Sequence, residues 1–180
     1  FVLLEIVLSD SHWINTTDEV QTGRVQMELG LVPASLVEHE AGTFNFDKAN
    51  LSVPPGLWTE TVDCDFGDQE VSILQMGPHM HANGSHYAVD VLRLDGQVER
   101  ILEVADWSPS YREDPPMWNW GAREMVIRPG EIVQTHCTWD NPSDQPLGFP
   151  EEMCTSFGAA YPMETNIFCG GSEGGPAMPL

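Results

Sequence analysis

The chain has 180 residues, 41% of them hydrophobic, and carries 28 acidic against 7 basic side chains for a net charge of -21. That length suffices for one domain with a sizeable core, and the apolar content argues against a disordered chain. So large a surplus of carboxylates excludes nucleic-acid binding and disfavours anionic membrane surfaces, because either contact adds charge repulsion.

The opening "FVLLEIVL" is apolar but short, with no basic stretch before it and no small-residue cleavage site. It reads as a strand, entered without a leader, and not as a signal peptide or a membrane span, which needs about 18 apolar residues. Alternating and β-branched runs predict further strands near 23–31, 59–64, 69–77, 86–95, 98–104, 123–128, 131–139 and 153–161. Turn signals separate them: "VPPG" at 53–56, "LDGQ" at 94–97, "RPGE" at 128–131 and "DNPSDQP" at 140–146. No segment has a long 3.6-residue apolar period with caps. Short strands together with 14 prolines and 16 glycines predict an all-β domain, an antiparallel sandwich or barrel.

Residues 106–121, "DWSPSYREDPPMWNWG", form a long loop with three tryptophans. Large aromatics bury well, so this loop reads as a small core over one end of the sandwich. The sharper alternative is a substrate-facing loop. From Gly170 the glycine-rich tail to residue 180 is expected to be flexible or docked on a partner.

Four cysteines, Cys64, Cys137, Cys154 and Cys169, contain no CxxC pair. An even count without metal spacing predicts two disulfides and an oxidising compartment (extracellular, periplasmic or secretory), with three connectivities open. Sequons at Asn15, Asn50 and Asn83 are candidate glycan acceptors in a eukaryotic secretory protein.

The stretch "QMGPHMHANGSHY" at 75–87 concentrates three histidines and two methionines. On a strand, His79 and His81 place both rings on one face, with Cα atoms roughly 6.5–7 Å apart. Two imidazoles so placed suit copper or zinc. His86, His136, Met76, Met80 and Met153 are the candidate third ligands, and a thioether would favour Cu(I) over zinc. Met153 directly precedes Cys154, so a cysteine pointing inward would turn Met153 to the opposite face.

"PHMHANG" at 78–84, "CTWDN" at 137–141 and "EEMCTSF" at 151–157, followed by "YP" at 161–162, together resemble the C-terminal domain of the copper type II, ascorbate-dependent monooxygenases. "LVPASLVEHEAGTFNF" followed by "SVPP" is similar to the link between that family's two domains. The resemblance implies a jelly-roll-like antiparallel β-sandwich over 56–169. Residues 1–55 are thereby expected to be a remnant of the preceding domain and linker strands, and one copper is implied on His79, His81 and Met153, where the family activates oxygen for C–H hydroxylation. The resemblance also implies disulfides Cys137–Cys154 and Cys64–Cys169.

The chain departs from the family in two places. The family's second, electron-delivering copper needs a His-His pair and a histidine from a strand resembling "LEIVL" at 4–8. Here no His-His pair occurs, and Val7 stands at the third position. A second copper would have to come from a partner chain or an N-terminal domain, with ascorbate or another donor supplying electrons. In the peptide-processing member, an arginine, an asparagine and a tyrosine hold the substrate. Gly77, Thr155 and Phe157 occupy the matching positions, so peptide amidation is not expected.

His136 flanks Cys137 as Met153 flanks Cys154. If those cysteines bridge neighbouring strands, His136 and Met153 share a face and His136 is a further ligand or supports one. His86 is a weaker candidate, and His12 and His39 read as surface residues. The expected function is a single-copper domain resembling the oxygen-activating half of a monooxygenase, with no catalytic residue assigned. The alternative is a non-catalytic secreted or envelope protein, for copper binding or delivery or as a structural subunit of an assembly.

Overall fold

The computed structural model describes residues 30, 33–37, 40–48, 50–163, 166–170 and 178–179. The strand expected over 1–9, Val7, His12, Asn15 and His39 lie outside them, as does the strand over 23–31 apart from Gly30. The chain divides into two compact units, Phe1–Leu36 and Val37–Leu180. In the first, Ala34–Leu36 form a 3-10 turn closed by Leu36 N donating to the Pro33 carbonyl at 2.9 Å.

The described residues of the second unit form eleven strands: β1 (Gly42–Asp47), β2 (Gly56–Asp65), β3 (Val71–His79), β4 (Gly84–Leu92), β5 (Val98–Val104), β6 (Trp118–Asn119), β7 (Val126–Ile127), β8 (Ile132–Asn141), β9 (Thr155–Tyr161), β10 (Ile167–Gly170) and β11 (Met178–Pro179). One sheet has seven strands in the order β11-β10-β1-β9-β3-β6, with β7 also pairing β3; the other has four in the order β2-β8-β4-β5. All pairings are antiparallel except β1 with β10. The fold is therefore the antiparallel-rich β-sandwich that the sequence predicts.

Period-two alternation builds the core. Along β8, Val133, Thr135, Cys137, Trp139 and Asn141 turn inward while Gln134, His136 and Thr138 turn out. Along β1, Phe44 and Phe46 turn inward and stack at 4.9 Å between ring centroids, with Phe66 edge-on to both at 5.4 and 5.5 Å. Burying each such side chain contributes about 1.5–3 kcal/mol. Gly96 and Gly130, both at φ 84°, take the left-handed positions of the 94–97 and 128–131 turns.

Two disulfides form, Cys64–Cys169 and Cys137–Cys154, and no described cysteine is free. Both cross the sandwich. Cys64 on β2 meets Cys169 on β10, and Cys137 on β8 meets Cys154 just before β9. On the chain-entropy account, closing loops of 105 and 17 residues stabilises by about 4–5 and about 3 kcal/mol.

Five elements depart from expectation. Gly42–Asp47, assigned from sequence to the segment before the domain, is an interior strand of the larger sheet. The resemblance to a linker masked the plain alternation of "TFNF". The strand expected over 123–128 shrinks to Val126–Ile127, and Trp118–Asn119 and Ile167–Gly170 are additional strands. In the tail, Met178–Pro179 pair with Ile167–Phe168. These segments are two to four residues long, too short for a periodic signal.

A polar chain crosses the outer face of the four-stranded sheet. Thr61 on β2 bonds His136 Nδ1 at 3.3 Å, His136 Nε2 meets Asp90 on β4 at 3.1 Å, and Arg100 on β5 grips both Asp90 oxygens. Arg100 also reaches Glu103 at 3.0 Å, which bonds His86 Nε2 at 2.9 Å. The Arg100 hydrogen bonds hold the Asp90 carboxyl below its ordinary range against the opposing effect of burial, helped by the Arg100 and His136 charges. A depressed carboxylate contributes stability that is present above its unfolded pKa and is lost as pH falls through the folded one. Asp90→Asn is therefore expected to cost about 1–2 kcal/mol at neutral pH, since Arg100 is partly in solvent. The deficit shrinks toward pH 2–3; urea unfolding at pH 7 and pH 3 measures it, and an equal deficit at both would refute the assignment.

Candidate metal centre

β3 carries an irregularity between Ile73 and Gln75, after which Gln75, Gly77 and His79 face away from the core. Met76 and Met80 face inward and are fully buried, so neither belongs to the outer site. His79 is half-buried and pairs in register with Thr155 at the start of β9. His81 follows in a loop and is 1% exposed. The two rings meet edge to face, with centroids 5.2 Å apart and planes at 89°.

Several contacts hold His81. Its N–H donates to Glu152 Oε2 at 3.0 Å, its carbonyl accepts from Trp107 Nε1 at 2.9 Å, and its Nδ1 lies 3.1 Å from the Glu151 carbonyl. A carbonyl only accepts, so in this contact Nδ1 carries the proton. That tautomer is the one a metal-binding imidazole adopts when a carbonyl orients it from behind.

Glu152 is the hub beneath. Its carboxylate is fully buried and accepts four N–H donors: His81 N at 3.0 Å and Trp139 Nε1 at 3.0 Å on Oε2, Asn83 N at 2.7 Å and Asn83 Nδ2 at 2.8 Å on Oε1. Nothing in the sequence reading singled it out. The signal was available: alternation back from the inward Cys154 places Glu152 on the core side, where a carboxylate needs donors.

Met153 lies between Glu152 and Cys154, half-buried, and lines a cavity of about 490 Å³ with Asp47, Lys48, Leu51 and Phe149 among its walls. Glu151 and Glu152, the two residues before Met153, both bond His81, which ties this segment to the His-x-His pair. The start of β9 is anchored from below, where the buried Tyr87 hydroxyl donates to the Thr155 carbonyl at 3.1 Å and Thr135 bonds Ser156 at 2.6 Å. Burial raises the Tyr87 pKa, so the phenol stays a donor. Thr155 Oγ1 donates to Asp47 at 3.1 Å, and burial raises the Asp47 carboxyl above its usual range.

His136 and His86 stand elsewhere. The Cys137–Cys154 bridge joins opposing sheets and not neighbouring strands, so His136 and Met153 point to opposite outer faces of the sandwich. This corrects the expectation that they share a face. His86 bonds Glu103 on the same far face as His136. His136→Ala is accordingly expected to leave the EPR spectrum of copper-loaded protein unchanged; an altered spectrum would place His136 at the metal after all.

Asn50 is exposed, whereas the Asn83 amide nitrogen that would carry a glycan is bonded to Glu152. The aromatic loop packs inward at Trp107, which is buried and edge-on to Tyr111 at 5.5 Å. Gly77 and Phe157, which lie side by side on this face, present no side-chain polar group there.

Among the described residues no group of three or more His, Cys, Asp or Glu is placed to hold a metal ion. A metal at His79 and His81 would need a donor of another kind, and the thioether of Met153 is of that kind. Two imidazoles and a thioether form a borderline-to-soft set that suits copper and gives zinc little. No protein-family model matches the sequence, and no curated protein matches it.

Proposed function

We propose that the chain is a single-copper domain similar to the oxygen-activating half of the copper type II monooxygenases, with His79, His81 and Met153 as the ligands. The observation that carries this reading is the tether of His81. The Glu151 carbonyl orients its ring and the Glu152 carboxylate holds its backbone, and Met153 is the next residue in the chain. Copper, when bound, would supply a centre that cycles between its +1 and +2 states. The chain's own part is to orient the two imidazoles, to fix the His81 tautomer and to brace the Met153 segment through Cys137–Cys154.

A non-catalytic role in copper binding or delivery, or as a subunit of an assembly, is favoured by one specific observation. The face around His79 carries Gly77, Phe157 and a Thr155 already committed to Asp47, so it lacks the polar anchors of the peptide enzymes. A catalytic role would draw electrons from ascorbate or another donor, and a second copper from a partner chain or a preceding domain. The two disulfides fit an extracellular, periplasmic or secretory setting. No described helix is long and apolar enough to cross a membrane.

Copper titration followed by EPR tests the reading, and oxygen or peroxide consumption with ascorbate then separates the roles. One copper per chain with turnover supports the enzyme. One copper without turnover supports binding or delivery, and no bound copper removes both.

A further inference from the structure

The β3–β6 register pairs Gln75 with Asn119 and Met76 with Trp118. Carried one pair further, it sets Met117 opposite Gly77, and residues directly opposite share a face. The atoms agree. A Cβ on Gly77 would overlap Met117 Sδ, stand 3.0 Å from Met117 Cε and 3.1 Å from Phe157 Cζ. The Met117 thioether thus lies on the strand surface that Gly77 leaves bare.

His79 is the next residue of β3 on that face, which makes Met117 its diagonal neighbour. Diagonal pairs stand about 7–8 Å apart, within reach of long side chains, and methionine adds three rotatable bonds. On the other flank, Glu151 and Glu152 both bond His81, and Met153 is the next residue in the chain. The His-x-His pair therefore has a thioether on each side, one from each neighbouring segment.

We propose that Met117 is a second sulfur ligand, so that the centre is a two-histidine, two-methionine site that holds copper as Cu(I). This rests on the copper reading above. Two thioethers soften the site toward Cu(I), which favours the binding or delivery role over oxygen activation. Gly77 is what admits the sulfur, because any side chain there would displace it.

The test is anaerobic Cu(I) competition against bicinchoninate, with X-ray absorption counting sulfur neighbours. Wild-type protein is expected to show two sulfurs, and Met117→Leu one, with Cu(I) affinity about tenfold weaker, in the range a supporting residue of a metal site commands. Met153→Leu should show the same loss of one sulfur. If Met117→Leu fails to fold, wild-type protein labelled with ¹³C-methyl methionine and titrated with Ag(I) is expected to shift two outer methyl signals. One sulfur in wild type, or unchanged affinity in Met117→Leu alongside a loss in Met153→Leu, overturns the role of Met117 and leaves the copper reading standing. No Cu(I) binding by wild type overturns both.

Discussion

Glu152→Ala is expected to lower the unfolding free energy by about 4 kcal/mol, because it strands buried donors at about 1–3 kcal/mol each. Four N–H groups converge on that carboxylate, from His81, Trp139 and twice from Asn83. Their contributions are not additive, and relaxation can rescue some of them. Two unmet donors already consume a large share of a typical domain's stability of about 5–15 kcal/mol. Glu152→Gln should be intermediate. Its amide oxygen can still serve Asn83, but its NH₂ then faces the N–H of His81 and of Trp139, donor against donor. Chemical denaturation followed by tryptophan fluorescence measures both, with Trp139 at the hub as a local reporter. A loss below about 1 kcal/mol for Glu152→Ala would mean that water or rearrangement satisfies the donors, and the tether of His81 would lose its importance.

The second large effect concerns the ligands. On the proposed function, His79→Ala weakens copper binding by on the order of 100-fold or more, given that even an outer partner of a ligand is worth about 10–100-fold. Its ring is half-buried, so the metal-free fold should tolerate the change. His81→Ala should lose as much copper affinity and also about 2 kcal/mol of stability. That ring is buried and its Nδ1–H bonds the Glu151 carbonyl. His86→Ala, on the far face, is the control that changes neither. Isothermal titration of the three variants decides; copper held by His79→Ala as tightly as by wild type would move the ion elsewhere in the protein.

The long strands were legible because their alternation runs for seven or more residues, as in "VQTHCTWDN" of β8. The cysteine count predicted two disulfides, and the resemblance supplied the pairing that the structure adopts. What escaped had physical reasons. The resemblance places Gly42–Asp47 among linker strands before the domain, although "TFNF" alternates plainly and packs as β1 inside the larger sheet. Strands of two residues carry no period at all. His136 was misplaced through one premise, that a disulfide joins neighbours in a sheet; in a sandwich, inward cysteines meet across the core. Met117 is invisible in the sequence, since only the β3–β6 register brings it beside Gly77. Glu152 was half legible: parity puts it inside, but its four donors come from two other segments, the 81–83 loop and β8.

The contacts that cradle His81 join residues 70 and 71 positions apart in the chain, and the Thr155–Asp47 bond spans 108. Contacts of such range close late, after the entropy of large loops has been overcome. A nascent or unfolded chain would therefore offer an incoming ion only the isolated His-x-His pair. The rest of the cradle exists once β3 and β9 have found each other. Loading would follow folding, as the last step of maturation, and the ion would meet a finished socket whose preferences the polypeptide has already set.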